Sequence, residues 1–123
     1  MNEELLARVR DEITSDQDMF LYGIPASDEE IIQAEKVLNI KFNIQYIEFI
    51  KKFGGAFGGI AIHAFKNGSL VGKASVVDLT LKFREIYKDL DKNILNSFYV
   101  ISDDGGGNPI LMNTDGKLFV FLH

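Results

Sequence analysis

The chain has 123 residues, no cysteine and a net charge of −5. That length normally makes one domain, able to hide roughly two thirds of its unfolded surface in a single core, and 46% apolar residues, ten of them Phe among the aromatics, supply the material. Without cysteine there is no disulfide framework, no thiolate nucleophile and no Cys-ligated zinc or iron–sulfur site.

The charge is unevenly spread: residues 1–40 carry −7, 41–100 carry +4 and 101–123 carry −2. Nucleic-acid backbones draw their nonspecific affinity from Lys and Arg, so an acidic chain is not expected to bind them directly. The same acidity would speed encounter with a basic protein. The N-terminus lacks an apolar leader core and no run approaches the length of a membrane span, so the expectation is a cytoplasmic protein without membrane attachment.

In chain order, Leu5, Leu6, Val9 and Ile13 recur at helical spacing and predict an amphipathic helix over 3–14. Gly23 and Pro25 break the pattern before "SDEE", where Ser27 can cap the first turn of a helix over 28–38 and Glu30 can reach back to the Ser27 amide. Asp28 and Glu29 favour the positive helix end. Asn43 can cap a third helix over 44–53, whose Tyr46, Phe49, Ile50 and Phe53 make one apolar face, ended by Gly54 or Gly55 in a left-handed conformation. A strand over 59–65, "GIAIHAF", is expected to turn at Asn67-Gly68 into "SLVG" as a hairpin. Ser75 and Asp78 open a helix over 76–88. Strands follow over 98–102, 109–113 and 117–122, the last two joined at Asp115-Gly116.

The stretch "ISDDGGGNPILMN" concentrates the chemistry-bearing residues. A phosphate loop needs glycine amides leading into a helix, usually with Lys and Ser or Thr; here Pro109 and an apolar run follow, and Asp103 and Asp104 would repel the anion. A calcium loop needs later acidic ligands that "DDGGGNPILMNT" lacks. The plain reading is a strand connector, with glycines at positive φ or close approach and with Asp104 and Asn108 bonding neighbouring amides. The alternative is a loop that contacts a partner. Ser102, His63 and Asp103 or Asp104 could be arranged as a triad, but no nucleophile-elbow pattern surrounds Ser102. His63 reads as a packed or solvent-facing strand residue, and one His cannot make a metal site. Tyr46, Phe49 and Phe53 read as core, while Tyr87 and Tyr99 are open between core and interface.

The order of these motifs, "SDEEIIQAEKVLNIKFNIQYIEFIKKFGG", a strand, then "ISDDGGGNPILMNTDGKLFVFLH", resembles the SUKH superfamily in its branch named after the yeast cell-wall-assembly regulators Smi and Knr. The matching positions are Ile31, Glu35 and Leu38, then Tyr46, Phe49, Ile50, Gly54 and Gly55, then Asp104, Gly105, Gly107, Asn108, Asp115, Gly116 and His123. Two departures stand out. Phe42-Asn43 replaces the usual Leu-Pro, and the sequence stops at His123 where relatives often continue into further helix.

The resemblance implies a single α+β domain over 1–123, helices on a mainly antiparallel sheet, either short or without that C-terminal helix. It also implies a non-catalytic role, without cofactor or metal. In bacteria such proteins bind and neutralise a cognate polymorphic or contact-dependent toxin, often a nuclease or deaminase; the alternative is a general scaffold or regulatory module like the yeast regulators. The expected partner-binding residues are Asp28, Glu29, Asp103, Asp104 and Asn108, presenting carboxylates to a basic toxin cleft. The expected state is a monomer or weak homodimer.

Overall fold

A computed structural model of the chain describes residues 22–58, 60–104 and 107–122; the helix expected over 3–14 lies outside them. The elements run α1 (Asp28–Leu38), α2 (Ile44–Phe53), β1 (Ala56–Phe57), β2 (Ala61–Ile62), α3 (Val76–Ile86), α4 (Lys92–Leu95), β3 (Tyr99–Asp103), β4 (Pro109–Met112) and β5 (Leu118–Val120). Among the described residues this is an α+β fold with two small antiparallel sheets, β1-β2 and β3-β4-β5. The His63 N–H donates to the Ile101 carbonyl at 2.9 Å and ties the region after β2 to β3.

The helices begin where side chains can satisfy their first amides. Ser27 and Glu30 form a reciprocal capping box on α1, Ser75 and Asp78 form the same box on α3, and Asn43 Oδ1 accepts the Gln45 and Tyr46 amides of α2. Asn43 does more than a proline could. Its Nδ2 donates to the Thr114 carbonyl at 3.2 Å and its amide donates to Tyr99 Oη at 3.0 Å, so one residue joins the α2 start to β3 and the β4–β5 turn. Glu35 Oε2 accepts the Phe42 amide at 2.8 Å, which fixes the α1–α2 link.

Gly54 ends α2 at φ +65° but with ψ −148°, outside the left-handed helical region expected. Only glycine fits there, since a Cβ would lie 2.3 Å from the Ile24 carbonyl oxygen. The larger core joins Ile31, Ala34 and Leu38 of α1 and Tyr46, Phe49, Ile50 and Phe53 of α2 to Tyr99, Ile101 and Met112 of the sheet. Tyr46 and Tyr99 are both core residues at 0% exposure. A second core, Phe83, Leu95, Val100 and Leu111, with Tyr87 and Phe121 half-buried against it, lies on the opposite face of the sheet.

Several expectations need correction. The hairpin from "GIAIHAF" into "SLVG" does not form: β2 is two residues long and pairs with β1, before it in sequence. Asn67 is not turning a hairpin. Its Oδ1 accepts the Ala64 amide at 2.8 Å and its Nδ2 donates to the Gly72 and Ala74 carbonyls at 3.0 and 2.8 Å, so the amide side chain supplies the bonds a partner strand would have made. Helix α3 ends at Ile86, not Lys88, and the four-residue α4, capped by Asp91, was not anticipated. The last strands stop at Met112 and Val120.

Candidate partner-binding surface

The connector between β3 and β4 is built as a closed turn. The Asp104 amide donates to the Asn108 carbonyl at 3.0 Å. In return Asp104 Oδ1 accepts the Asn108 amide at 3.1 Å and Asp104 Oδ2 accepts Asn108 Nδ2 at 2.9 Å. Gly107 takes φ +91°, which only glycine adopts cheaply. The strand-connector reading of Asp104 and Asn108 is therefore correct, and both remain exposed or half-exposed while they hold the loop.

Beside that loop, α3 packs across β3 and leaves a groove of about 350 Å³. Its apolar lining includes Leu79, Phe83, Ile86, Tyr87 and Pro109, and Lys82 and Asp103 stand among the lining residues with opposite charge. The strand that carries Asp103 is anchored to the helix that lines the groove: Thr80 Oγ1, fully buried, accepts the Val100 amide at 2.8 Å. The strand that ends at Asp103 is thus fixed beside the groove.

Asp28 and Glu29 sit elsewhere. Asp28 pairs with Lys51 of α2 at 2.8 Å, with both side chains largely in water, where such a pair contributes little stability. Glu29 lines a shallower groove with Gln33, Val37, Phe65 and Val77. The structure therefore brings Asp103, Asp104 and Asn108 together and keeps Asp28 and Glu29 apart from them, with α3 contributing to both grooves through Val77 on one side and Leu79 to Tyr87 on the other. Exposed Ile32 and Val37 of α1 and Leu81 and Ile86 of α3 add apolar area to the same elements.

No triad assembles from the sequence candidates. The Ser102 hydroxyl donates to the Asp103 carbonyl at 3.2 Å. His63 is buried, and its Nδ1 lies 2.7 Å from the Ala74 carbonyl; a carbonyl only accepts, so Nδ1 carries the proton and is committed to that bond. Among the described residues no group of three or more His, Cys, Asp or Glu is placed to hold a metal ion, and no helix is long and apolar enough to cross a membrane.

Buried ionisable groups belong to the framework. Burial raises Tyr46 well above the ordinary tyrosine range, with Tyr99 beside it adding to the effect, and burial raises Tyr99 as well. Burial lowers Arg84, whose Nη1 donates to the Leu38 carbonyl at 2.8 Å and so completes the C-terminus of α1. Among the described residues its Nε and Nη2 are buried without a hydrogen-bond partner. Nothing in the sequence pointed to Arg84, because its role depends on a contact across 46 residues.

Compared with known proteins, residues 25–123 match the model of the SMI1 / KNR4 family (SUKH-1). No curated protein matches the chain.

Proposed function

The chain belongs to the SMI1 / KNR4 family (SUKH-1), and from that premise we propose that it is a non-catalytic immunity protein, which binds and neutralises a cognate protein toxin. The observation that carries this reading is the α3 groove, a largely apolar trough with Asp103 and Lys82 among its lining residues and the Asp104–Asn108 turn beside it. Such a surface suits the capture of protein side chains, with an apolar centre to be desolvated and a polar rim to orient the partner. The partner is a basic toxin, a nuclease or deaminase, whose phosphate-binding cleft the acidic protein covers. Asp103, Asp104 and Asn108 form one edge of the contact, and Asp28 and Glu29 extend it across α3 to the α1 side. Carboxylates at those positions both steer association and occupy the place of the nucleic-acid backbone.

Co-expression with the product of any toxin-like reading frame found beside the gene tests the reading. The expected outcome is restored growth and a complex that co-purifies at equal stoichiometry. A toxic neighbour that is neither bound nor neutralised would remove the immunity reading and leave the regulatory scaffold in its place.

A further inference from the structure

The outer edge of the three-stranded sheet carries a palindrome. From Leu118 the sequence reads Leu-Phe-Val-Phe-Leu, identical in both directions about Val120. Strand β5 pairs with β4 through Ile110–Val120, Leu111–Phe119 and Met112–Leu118. The ladder continues at both ends, where the Asn113 N–H donates to the Lys117 carbonyl at 3.1 Å and the Phe121 N–H to the Pro109 carbonyl at 2.9 Å. In an antiparallel ladder, successive residues direct their N–H and C=O groups alternately to one neighbour and the other. Lys117, Phe119 and Phe121 therefore direct theirs to β4, and Leu118, Val120 and Leu122 direct theirs outward, where among the described residues the order β3-β4-β5 has no further strand. Three side chains along this edge reach water, Phe119 at 42% exposure, Val120 at 50% and Leu122 at 75%, while Leu118 and Phe121 are half-buried against the two cores. From 118 to 122 there is no charge and no proline, the devices by which sheet edges avoid pairing.

We propose that this edge is a homodimer interface, in which β5 pairs antiparallel with β5 of a second copy about a two-fold axis through Val120. In that register Val120 faces the second Val120 and each Leu118 faces a Leu122. All three are residues whose backbone groups point outward, so every facing pair of them is of the hydrogen-bonded kind. Each Phe119 faces a Phe121 in the closer, non-hydrogen-bonded positions. That contact extends an aromatic cluster already present, since Phe121 packs on Phe83 and Tyr87 with ring centroids 5.1 and 4.5 Å away. A second copy is the occupant because the palindrome makes the strand its own complement side chain for side chain. The interface is isologous and closes, since pairing consumes the β5 edge of both copies. The inference is independent of which toxin the protein binds.

Sedimentation across a concentration series should show the mass rising from one chain, 13.8 kDa, to twice that. Val120→Lys sets two ammonium groups face to face on the axis and should hold the protein at one chain mass, with an unchanged circular dichroism spectrum. Because the chain has no cysteine, Val120→Cys gives an independent reading: its single thiol should form an inter-chain disulfide under mild oxidation, while the thiol of Ile32→Cys, on exposed α1, should not. If Val120→Lys fails to fold, the two thiols decide. A wild-type chain that stays at one mass at every concentration, a dimer that survives Val120→Lys, or equal cross-linking by both thiols would overturn the proposal.

Discussion

One face of the three-stranded sheet carries Tyr99, Ile101 and Met112 into the core beneath α1 and α2, and the other carries Val100 and Leu111 against α3 and α4. On the first face the polar groups are answered. Tyr46 Oη donates to the His63 carbonyl at 2.6 Å, Tyr99 Oη accepts the Asn43 amide, and Phe42, Tyr46 and Tyr99 pack with centroids 4.6 to 5.5 Å apart. On the second face Phe83 is buried, but Tyr87 and Phe121 packed on it are only half covered, and the cluster borders both the α3 groove and a smaller apolar hollow of about 180 Å³ near Phe98 and Phe119. The difference separates two duties of one sheet. The closed side specifies the fold, and the open side leaves apolar surface that a partner can cover.

The largest effect should come from the closed side. Phe49→Ala removes a ring that is 1% exposed and should cost about 3–5 kcal/mol in urea unfolding, because a cavity adds to the lost burial. Phe121→Ala on the open side should cost less than half as much, since its ring is already partly in water. Equal costs would break the comparison.

Alkaline pH should act on the closed side next. Tyr46 and Tyr99 are held neutral by burial, so their folded values lie above the unfolded one. Stability from this source is fully present below the unfolded value and is lost as pH rises past it. Each tyrosine should remove about 1.4 kcal/mol per pH unit above about pH 10. Urea titrations between neutral and strongly alkaline pH would show this, and Tyr99→Phe should reduce the slope.

Asn43→Ala should cost about 1–2 kcal/mol, the upper part of the range for a lost cap, because the tie to Thr114 goes with it. The smallest effects belong to the loop. Asp104→Ala should cost about 0.5–1.5 kcal/mol through its bonds to Asn108, while Asp103→Asn should leave urea unfolding unchanged and slow toxin association at low salt only. At about 0.15 M salt, screening confines such steering to roughly 8 Å.

The capped helices were legible because their signals are local: Ser27 with Glu30, Ser75 with Asp78, and Asn43 ahead of an apolar face each lie within one turn of what they organise. Asp104 and Asn108 were legible as turn-formers for the same reason. The Asn67-Gly68 hairpin was misread because an amide side chain can replace strand pairing, and only the neighbouring carbonyls of Gly72 and Ala74 decide between them. Helix α4 is too short for periodicity to show. The two-faced sheet did leave a trace, since "FYVI" and "PILM" are unbroken apolar runs of the kind seen in strands buried on both sides. The α3 groove left none, because it exists only where Leu79 to Tyr87 meet the distant Val100 to Pro109.

Backbone amide hydrogen exchange of the protein alone and in complex with a basic toxin that it is found to neutralise tests the division of duties most directly. The account predicts new protection over 79–87 and 103–108, with the amides of 46–53 slow and unchanged in both states. Protection confined to α2 and the β1–β2 region, with the α3 groove exchanging as in the free protein, would contradict it.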